Sequence, residues 1–245
     1  MKLPAIKSLG TAALLTASAL FLTASTAHAD SFTFTSADAS ATITTGVNTI
    51  TVDLFSLDPN PKSAAGLLSG ILFSLSGSGF GTATFGSETA PDGLVTVNSN
   101  GTGTSAGSTI SHWGTSVTGT TVCLETVSGS GIHCAAGGQP EDMIIAPGTG
   151  ATPYSNANAS IRNFNPSIVT EGIFVLDISG VTVTNGNILG TQISNVTFNF
   201  GTGPDSTEPG VPSTPSVPEP SSLILLGTGV LGAAGLLRRK MFARN

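Results

Sequence analysis

Charged residues are scarce in this sequence: Asp, Glu, Lys and Arg together make up 9% of its 245 residues. Between residues 30 and 217 the only basic side chains are Lys62 and Arg162. A surface that binds nucleic acid needs clustered Lys and Arg to neutralise the phosphates. The composition therefore argues against nucleic acid as a partner.

Large amphipathic aromatic side chains are also rare, with one Trp and one Tyr against twelve Phe. A carbohydrate-binding face usually presents several such rings in a row. Trp113 and Tyr154 are therefore predicted to fill the core, as the Phe residues are. A single sugar platform formed by Trp113 beside His112 is the alternative.

Short β-type runs are what the sequence does contain, and no stretch between its termini shows a 3.6-residue apolar period. Apolar and polar residues alternate most clearly at Ile50, Val52 and Leu54. Residues 30–200 are therefore predicted to form an all-β fold, a single antiparallel β-sandwich resembling a jelly roll. A Gly-rich β-solenoid is the alternative, although no repeat of fixed length is present. The predicted strands are SFTFTS, ATITT, NTITVDLF, GILFSLSG, GLVTVN, TTVCLETV, EDMIIA, GIFVLDISGVTV and ISNVTFNF.

The first 29 residues have the three-part order of a secretory signal peptide. Lys2 and Lys7 are followed by an apolar run over residues 9–22 and then by Ala27-His28-Ala29. Small residues at these last positions predict cleavage before Asp30. The mature protein is therefore expected to begin at Asp30, outside the cytoplasm.

The C-terminal part of the chain predicts a stalk followed by a membrane span. Residues 201–216 are rich in Pro and poor in apolar side chains, which predicts an extended linker. Residues 221–237 carry no charge over 17 positions, enough for a helix about 25 Å long that can cross a bilayer with local thinning. The basic cluster at 238–240 is expected to stay cytoplasmic together with the tail 241–245.

The end of the chain resembles the PEP-CTERM sorting signal of exported Gram-negative proteins over residues 217–240. The resemblance is carried by Pro218-Glu219-Pro220, by the apolar stretch and by Arg238-Arg239-Lys240. It implies recognition and cleavage near Pro218 to Pro220 by exosortase, an integral-membrane transpeptidase-like protease. It also implies a transient membrane intermediate and an association with exopolysaccharide and biofilm. These residues are then features of a substrate and have no catalytic role.

Cys123 and Cys134, the only cysteines, lie in two strand-like runs on either side of a Gly/Ser turn. An exported protein enters an oxidising compartment, so a disulfide between them is predicted. A zinc site completed by His133 and His112 is disfavoured, because neighbours such as His133 and Cys134 point to opposite faces of a strand. No metal and no cofactor are expected.

Two patterns could support an exported enzyme. Residues 103–107 match G-x-S-x-G, with Ser105 as nucleophile and with Glu125 and His133 following, but the match lies in a Gly/Ser/Thr tract that predicts a turn. The carboxylates of Glu141-Asp142 or of Asp53/Asp58 could serve glycoside hydrolysis, but adjacent residues in a strand diverge and residues 58–61 are expected to form a turn. Loop acids are expected to be solvent-facing turn residues or at best a calcium clip; they are Asp53, Asp58, Asp92 and Asp142.

The predicted function is therefore that of an exported surface or matrix protein, sorted by exosortase and structural or adhesive in exopolysaccharide. No enzymatic activity is predicted, because no catalytic set is assembled in the sequence. An exported glycan-acting enzyme and a small carbohydrate- or calcium-binding module are the alternatives.

Overall fold

Buried and outward-facing side chains alternate along several strands of this domain. The computed structural model describes residues 28–127, 140–186, 188–203 and 206–213. In β-structure successive side chains point to opposite faces, and the strand that contains Asp53 shows strict alternation, with Ile50, Val52 and Leu54 fully buried. The alternation predicted from the sequence therefore corresponds to a buried face and an outward face.

The strands are labelled in chain order. They are β1 (Asp30–Thr35), β2 (Ala39–Gly46), β3 (Thr49–Ser56), β4 (Leu68–Leu75), β5 (Thr84–Thr89), β6 (Leu94–Val97), β7 (Gly103–Gly107), β8 (Gly114–Thr118), β9 (Thr121–Glu125), β10 (Ile144–Ile145), β11 (Ser167–Val169), β12 (Glu171–Asp177), β13 (Ile193–Phe200), β14 (Thr207–Pro209) and β15 (Val211–Pro212). The helical elements in the described ranges are a 3-10 turn (Ala64–Gly66) and α1 (Ala159–Arg162).

These strands form two sheets. The first sheet has the order β15-β1-β2-β3-β12-β5, and all of its pairs are antiparallel. The second sheet has the order β14-β13-β4-β10-β11-β6-β7, and β9 joins it by pairing with β4 and β8. The protein is therefore mostly β, as predicted. The outward face of the first sheet, which is described below, is formed by β1, β2, β3 and β12.

The second sheet corrects one part of the predicted fold, because it is mixed and not purely antiparallel. β10 and β11 run parallel, with Ile144 opposite Ile168 and Ile145 opposite Val169. The chain between them includes α1, which returns it in the same direction, and such a crossover is what parallel neighbours require. A single jelly-roll sandwich stays a prediction.

Residues from both sheets share one hydrophobic core cluster. Leu54 and Phe174 enter it from the first sheet, and Phe73, Leu124 and Phe198 enter it from the second. A smaller cluster around Met143 and Tyr154 lies near the segment that contains α1. Trp113 and Tyr154 are 7% and 4% exposed, so both contribute to the core.

The Pro-rich region differs from the extended linker predicted over 201–216. Thr207–Pro209 pairs with β13, and Val211–Pro212 pairs with β1 at the edge of the first sheet. Pro fits an edge strand because its missing N–H can face away from the ladder. The described residues belong to one compact unit that ends at Ser213.

The predicted termini lie largely outside the described residues, which exclude 1–27 and 214–245. Within the described ranges no helix is long and apolar enough to cross a membrane. The signal peptide and the span at 221–237 therefore stay predictions.

Phe174 tests the core that the sheets share. It is fully buried, and its ring centroid lies 4.5 Å from that of Trp113. Phe174→Ala is expected to lower the free energy of unfolding by about 3–5 kcal/mol, through lost transfer energy and a residual cavity. Urea denaturation measures the change. Leu57→Ala, at a side chain that is 45% exposed, is the control, and an equal loss in both variants would contradict a shared core.

Candidate functional site

An acid–imidazole cluster lies where the segment before β8 meets the segment before β10. We define this cluster as Glu88, Ser111, His112, Glu141 and Asp142. The Nδ1 atom of His112 lies 3.0 Å from Oδ2 of Asp142, and its Nε2 atom lies 3.3 Å from Oε2 of Glu141. Both nitrogens of one imidazole therefore face carboxylates.

Asp142 anchors the cluster from a buried position. It is 1% exposed, and its Oδ2 accepts hydrogen bonds from the backbone N–H and the hydroxyl of Ser111, at 2.9 and 3.3 Å. The Trp113 indole donates to the Asp142 carbonyl at 2.9 Å. A buried carboxylate is tolerated when donors of this kind replace water. Asp142 thus fixes the loop that carries Ser111 and His112.

The expectation that Glu141 and Asp142 diverge is wrong. Neither residue lies in a strand, and Asp142 adopts a left-handed backbone with φ +57°. The period-2 argument applies only to extended backbone. Both carboxylates therefore reach His112 from one short segment.

Glu88 approaches the same cluster from β5. Burial, and then repulsion from Asp142, raises the pKa of the Glu88 carboxyl. Its Oε1 atom is buried and makes no hydrogen bond in the structure. A carboxyl whose pKa is raised in this way is a candidate proton donor to a bound group.

The geometry disfavours Ser111 as a nucleophile. Its hydroxyl lies 3.0 Å from Nδ1 of His112, the nitrogen that Asp142 also contacts. A nucleophilic serine needs a ring nitrogen that is free to take its proton, with an acid on the opposite nitrogen. Glu141 does lie on the opposite nitrogen, but Asp142 occupies the nitrogen that faces Ser111. Because Asp142 also accepts the Ser111 hydroxyl, this arrangement is better suited to fastening the loop.

Ser105 and its predicted partners do not assemble into a nucleophile elbow in the described residues. Ser105 lies within β7, opposite Val95, whereas an elbow needs a turn between a strand and a helix. Glu125 is 1% exposed and accepts a hydrogen bond from Asn199. His133 lies outside the described residues.

Of the predicted disulfide, the structure describes only Cys123. This residue lies in β9, opposite Leu72 of β4 and Ser116 of β8, and is 2% exposed. Cys134 lies outside the described residues, so the disulfide stays a prediction.

A second group of acids lies on the outward face of the first sheet, where Glu171 of β12 is near Asp53 and Asp92. Burial, a hydrogen bond with Asp53 and the charges of Asp53 and Asp92 raise the pKa of Glu171 to about 7. Asp53 is part of β3 and not of a turn, contrary to expectation. In the described part of the chain, no three His, Cys, Asp or Glu side chains are arranged to hold a metal ion.

The sorting signal itself lies outside the described residues, so its evidence is the sequence comparison. Residues 216–240 match the family model described as the PEP-CTERM protein-sorting motif. This match confirms the resemblance carried by Pro218-Glu219-Pro220 and Arg238-Arg239-Lys240. No curated protein and no solved structure matches the chain. The chain thus carries the sorting motif of exported proteins, and that motif supports export and sorting by exosortase.

Glu171 makes stability depend on pH. Because its folded pKa of about 7 exceeds the ordinary 4.5, the folded protein keeps a proton between these values that the unfolded chain has released. Stability therefore falls as pH rises through this window and then levels off. Glu171→Gln is expected to flatten this decrease, measured by urea denaturation from pH 4 to pH 8.

The matched control for this measurement is Asp177→Asn at the other end of β12. It removes one carboxylate and leaves the group around Glu171 intact. If Glu171→Gln kept the decrease between pH 4.5 and 7, or if Asp177→Asn alone abolished it, the assignment to Glu171 would be wrong.

Proposed function

We propose that this protein is an exported cell-surface or matrix component that is structural or adhesive in exopolysaccharide, and that it is not an enzyme. The observation that carries the proposal is a sheet face covered by hydroxyl groups. We call it the hydroxyl face, and it consists of Ser31, Thr33, Thr35, Ser40, Thr42, Thr44, Thr49 and Thr51.

Strand register brings these hydroxyls into rows. Ser31 lies opposite Thr44, which lies opposite Thr51, and Thr33 lies opposite Thr42. The Thr44 hydroxyl donates to that of Ser31 at 3.3 Å, and the hydroxyls of Thr33 and Thr42 are also 3.3 Å apart. These side chains are exposed or half-buried, whereas their neighbours in β2 and β3 point into the core.

Such a face suits a hydrated glycan. Each hydroxyl can donate one hydrogen bond and accept others, as sugar hydroxyls do. A single hydrogen bond between protein and sugar that replaces hydrogen bonds to water contributes little free energy, about 0.5–1.5 kcal/mol. A polymer, however, presents many sugars to many hydroxyls at once. The eight residues of the face carry no charge, although Asp53 lies opposite Thr42 on the same outward side. The face therefore suits an uncharged glycan better than an anionic one.

The proposed route of this protein to the cell surface depends on its two terminal signals. The signal peptide 1–29 starts export, the helix 221–237 holds a membrane intermediate, and exosortase cleaves near Pro218 to Pro220. The disulfide between Cys123 and Cys134 and the jelly-roll sandwich belong to the same proposal, because both suit a domain that must survive outside the cell.

Replacing Pro218-Glu219-Pro220 with three alanines tests the sorting step. We expect an unprocessed, membrane-bound precursor to accumulate, because the protease loses the feature that it recognises. Immunoblots of membrane and extracellular fractions measure the ratio of precursor to product. Alanines at 214 and 215, just before the matched residues 216–240, provide the control. Normal processing of the Pro218-Glu219-Pro220 variant would contradict sorting through this motif.

Retention on matrix polysaccharide tests the hydroxyl face. The triple variant Thr33→Val, Thr42→Val, Thr44→Val keeps the β-branched shape and removes three hydroxyls. We expect about a tenfold loss of retention, from about 0.5 kcal/mol per lost hydrogen bond. Co-sedimentation with isolated exopolysaccharide measures it.

The matched control for retention is the triple variant Thr104→Val, Thr118→Val, Thr121→Val. These residues lie in β7, β8 and β9 of the second sheet, away from the hydroxyl face. Equal losses in the two triple variants would show that this face has no special part in retention, and full retention in the first variant would overturn the proposal.

The second candidate is a glycan-acting enzyme, favoured by the acid–imidazole cluster. The side chains of His112 and Glu141 are 31% and 34% exposed and could contact a substrate, and Glu88 holds its proton more tightly than an ordinary carboxyl. Incubation with polysaccharide separates the two candidates. Release of short products that Glu141→Gln abolishes would establish turnover, and retention without products would favour the matrix function.

A further inference from the structure

Three exposed aliphatic side chains share one end of the β domain. Val47, Ile188 and Leu189 are 67%, 65% and 84% exposed. We call these three residues the apolar end. Val47 lies in the turn between β2 and β3, and Ile188 and Leu189 lie in the segment between β12 and β13.

Hydrogen bonds bring these two segments together around the start of β1. The backbone N–H of Asn48 donates to the Val181 carbonyl at 2.9 Å, next to Val47. The backbone N–H of Thr184 donates to the Asp30 carboxylate at 3.0 Å, and Asn185 and Ile188 form a bridge beyond it. Asp30 also lies opposite Thr45 of β2, so both aliphatic segments flank Asp30.

The N-terminal side of the chain leaves the domain at this same end. Asp30 is the predicted first residue after signal cleavage, and the backbone N–H of His28 donates to the Thr184 carbonyl at 3.2 Å. The predicted apolar run of the signal ends at residue 22, eight residues before Asp30. Eight residues span at most about 29 Å.

The C-terminal side of the described chain is directed towards the same end. β15 runs antiparallel to β1, with Val211 opposite Thr35 and Pro212 opposite Phe34, and the backbone N–H of Ser213 then donates to the Thr33 carbonyl at 2.9 Å. The chain therefore advances along β1 towards Asp30. The predicted membrane span begins at residue 221, eight residues after Ser213, again a reach of at most about 29 Å.

We propose that the apolar end rests on the lipid bilayer while the precursor is held in the membrane. The predicted signal segment is tethered at this end by a short connection, and the chain that follows Ser213 runs towards it. Solvent-exposed aliphatic side chains gain free energy by entering the interface between headgroups and acyl chains. The occupant is a phospholipid surface. The inference rests on the membrane-held precursor of the proposed function, and it adds the orientation of the domain on that surface.

The charges at this end indicate which lipid surface fits. Among the described residues, Asp30 and Asp177 are the acids near the apolar end, Asp177 being opposite Thr49, and His28 is the only other titratable group there. The described cations lie elsewhere, since the Lys62 carbonyl accepts from Asn158 beside α1 and Arg162 belongs to α1. A zwitterionic surface is therefore preferred, because anionic lipid would repel the two aspartates.

The experiment places an indole at the apolar end of the full chain. Leu189→Trp is reconstituted in phosphatidylcholine vesicles that contain brominated lipid, and Ile188→Trp serves as an independent second variant. The natural Trp113 is 7% exposed and gives the same background in every variant. We expect quenching of the added indole at least several-fold greater than in Val211→Trp.

Val211 is the matched control because it is 64% exposed yet lies opposite Thr35, at the far end of β1. A strand of this length keeps the two ends about 17 Å apart, beyond short-range quenching. Equal quenching at both positions, or none at positions 188 and 189, overturns the inference. Quenching that appears only after phosphatidylglycerol is added also overturns it, because contact would then not be apolar.

Alkaline carbonate extraction of the same vesicles separates this inference from its premise. A chain that stays in the vesicles supports the membrane-held precursor, and quenching then decides the orientation alone. A chain that carbonate removes overturns the precursor and the orientation together. In the retained chain, Ile188→Asp with Leu189→Asp is expected to abolish quenching of an indole introduced by Val47→Trp.

Discussion

The alternation of apolar and hydroxyl side chains along β2 and β3 is the constraint on which the first sheet depends. Every second residue is buried, from Ala41 and Ile43 on β2 to Val52 and Leu54 on β3. Because a shift of one residue would exchange the two faces, the core that fixes the register also fixes which hydroxyls face outward. The chain can thus stabilise its fold through one face and present hydroxyl groups, with the acids Asp53 and Glu171, on the other, so that changes on the outward face cost the core little.

The sequence predicts most of the strands whose side chains enter the core, but it misses the three-residue β11, whose Ile168 is fully buried. Each of the nine predicted runs overlaps a strand, because burial leaves a visible apolar pattern in strands such as β3 and β13. The run EDMIIA, however, overlaps only the two-residue β10. β7 is GTSAG and exposed throughout, so it has no apolar period to detect. β14 and β15 were predicted as linker, because their pairing depends on distant edges of β13 and β1. Local composition indicates that a segment is extended, but only the tertiary fold determines the strand with which that segment pairs.

The acid–imidazole cluster was only partly predictable for a related reason. His112, Trp113, Glu141 and Asp142 each appear as candidates in the sequence, but about thirty residues separate the two pairs, and their meeting depends on the backbone of Asp142. A left-handed φ at a residue other than Gly is uncommon, and nothing in EDMIIA indicates it. The contribution of Glu88 was not predicted at all, because its position beside Asp142 follows from the pairing of β5 with β12.

The edge of the first sheet connects the fold to the processing of the chain. β1 begins at the predicted signal cleavage site, and β15, which precedes the sorting motif, pairs with that same strand. The predicted signal cleavage would remove His28 and its hydrogen bond with Thr184, and the predicted exosortase cleavage falls beyond Ser213. Neither removes a residue of the core shared by the two sheets. Because edge pairing contributes little apolar burial, the cut chain keeps the interactions that fold it. We therefore expect the domain to keep its core, and with it the same outward face, after both predicted cleavages.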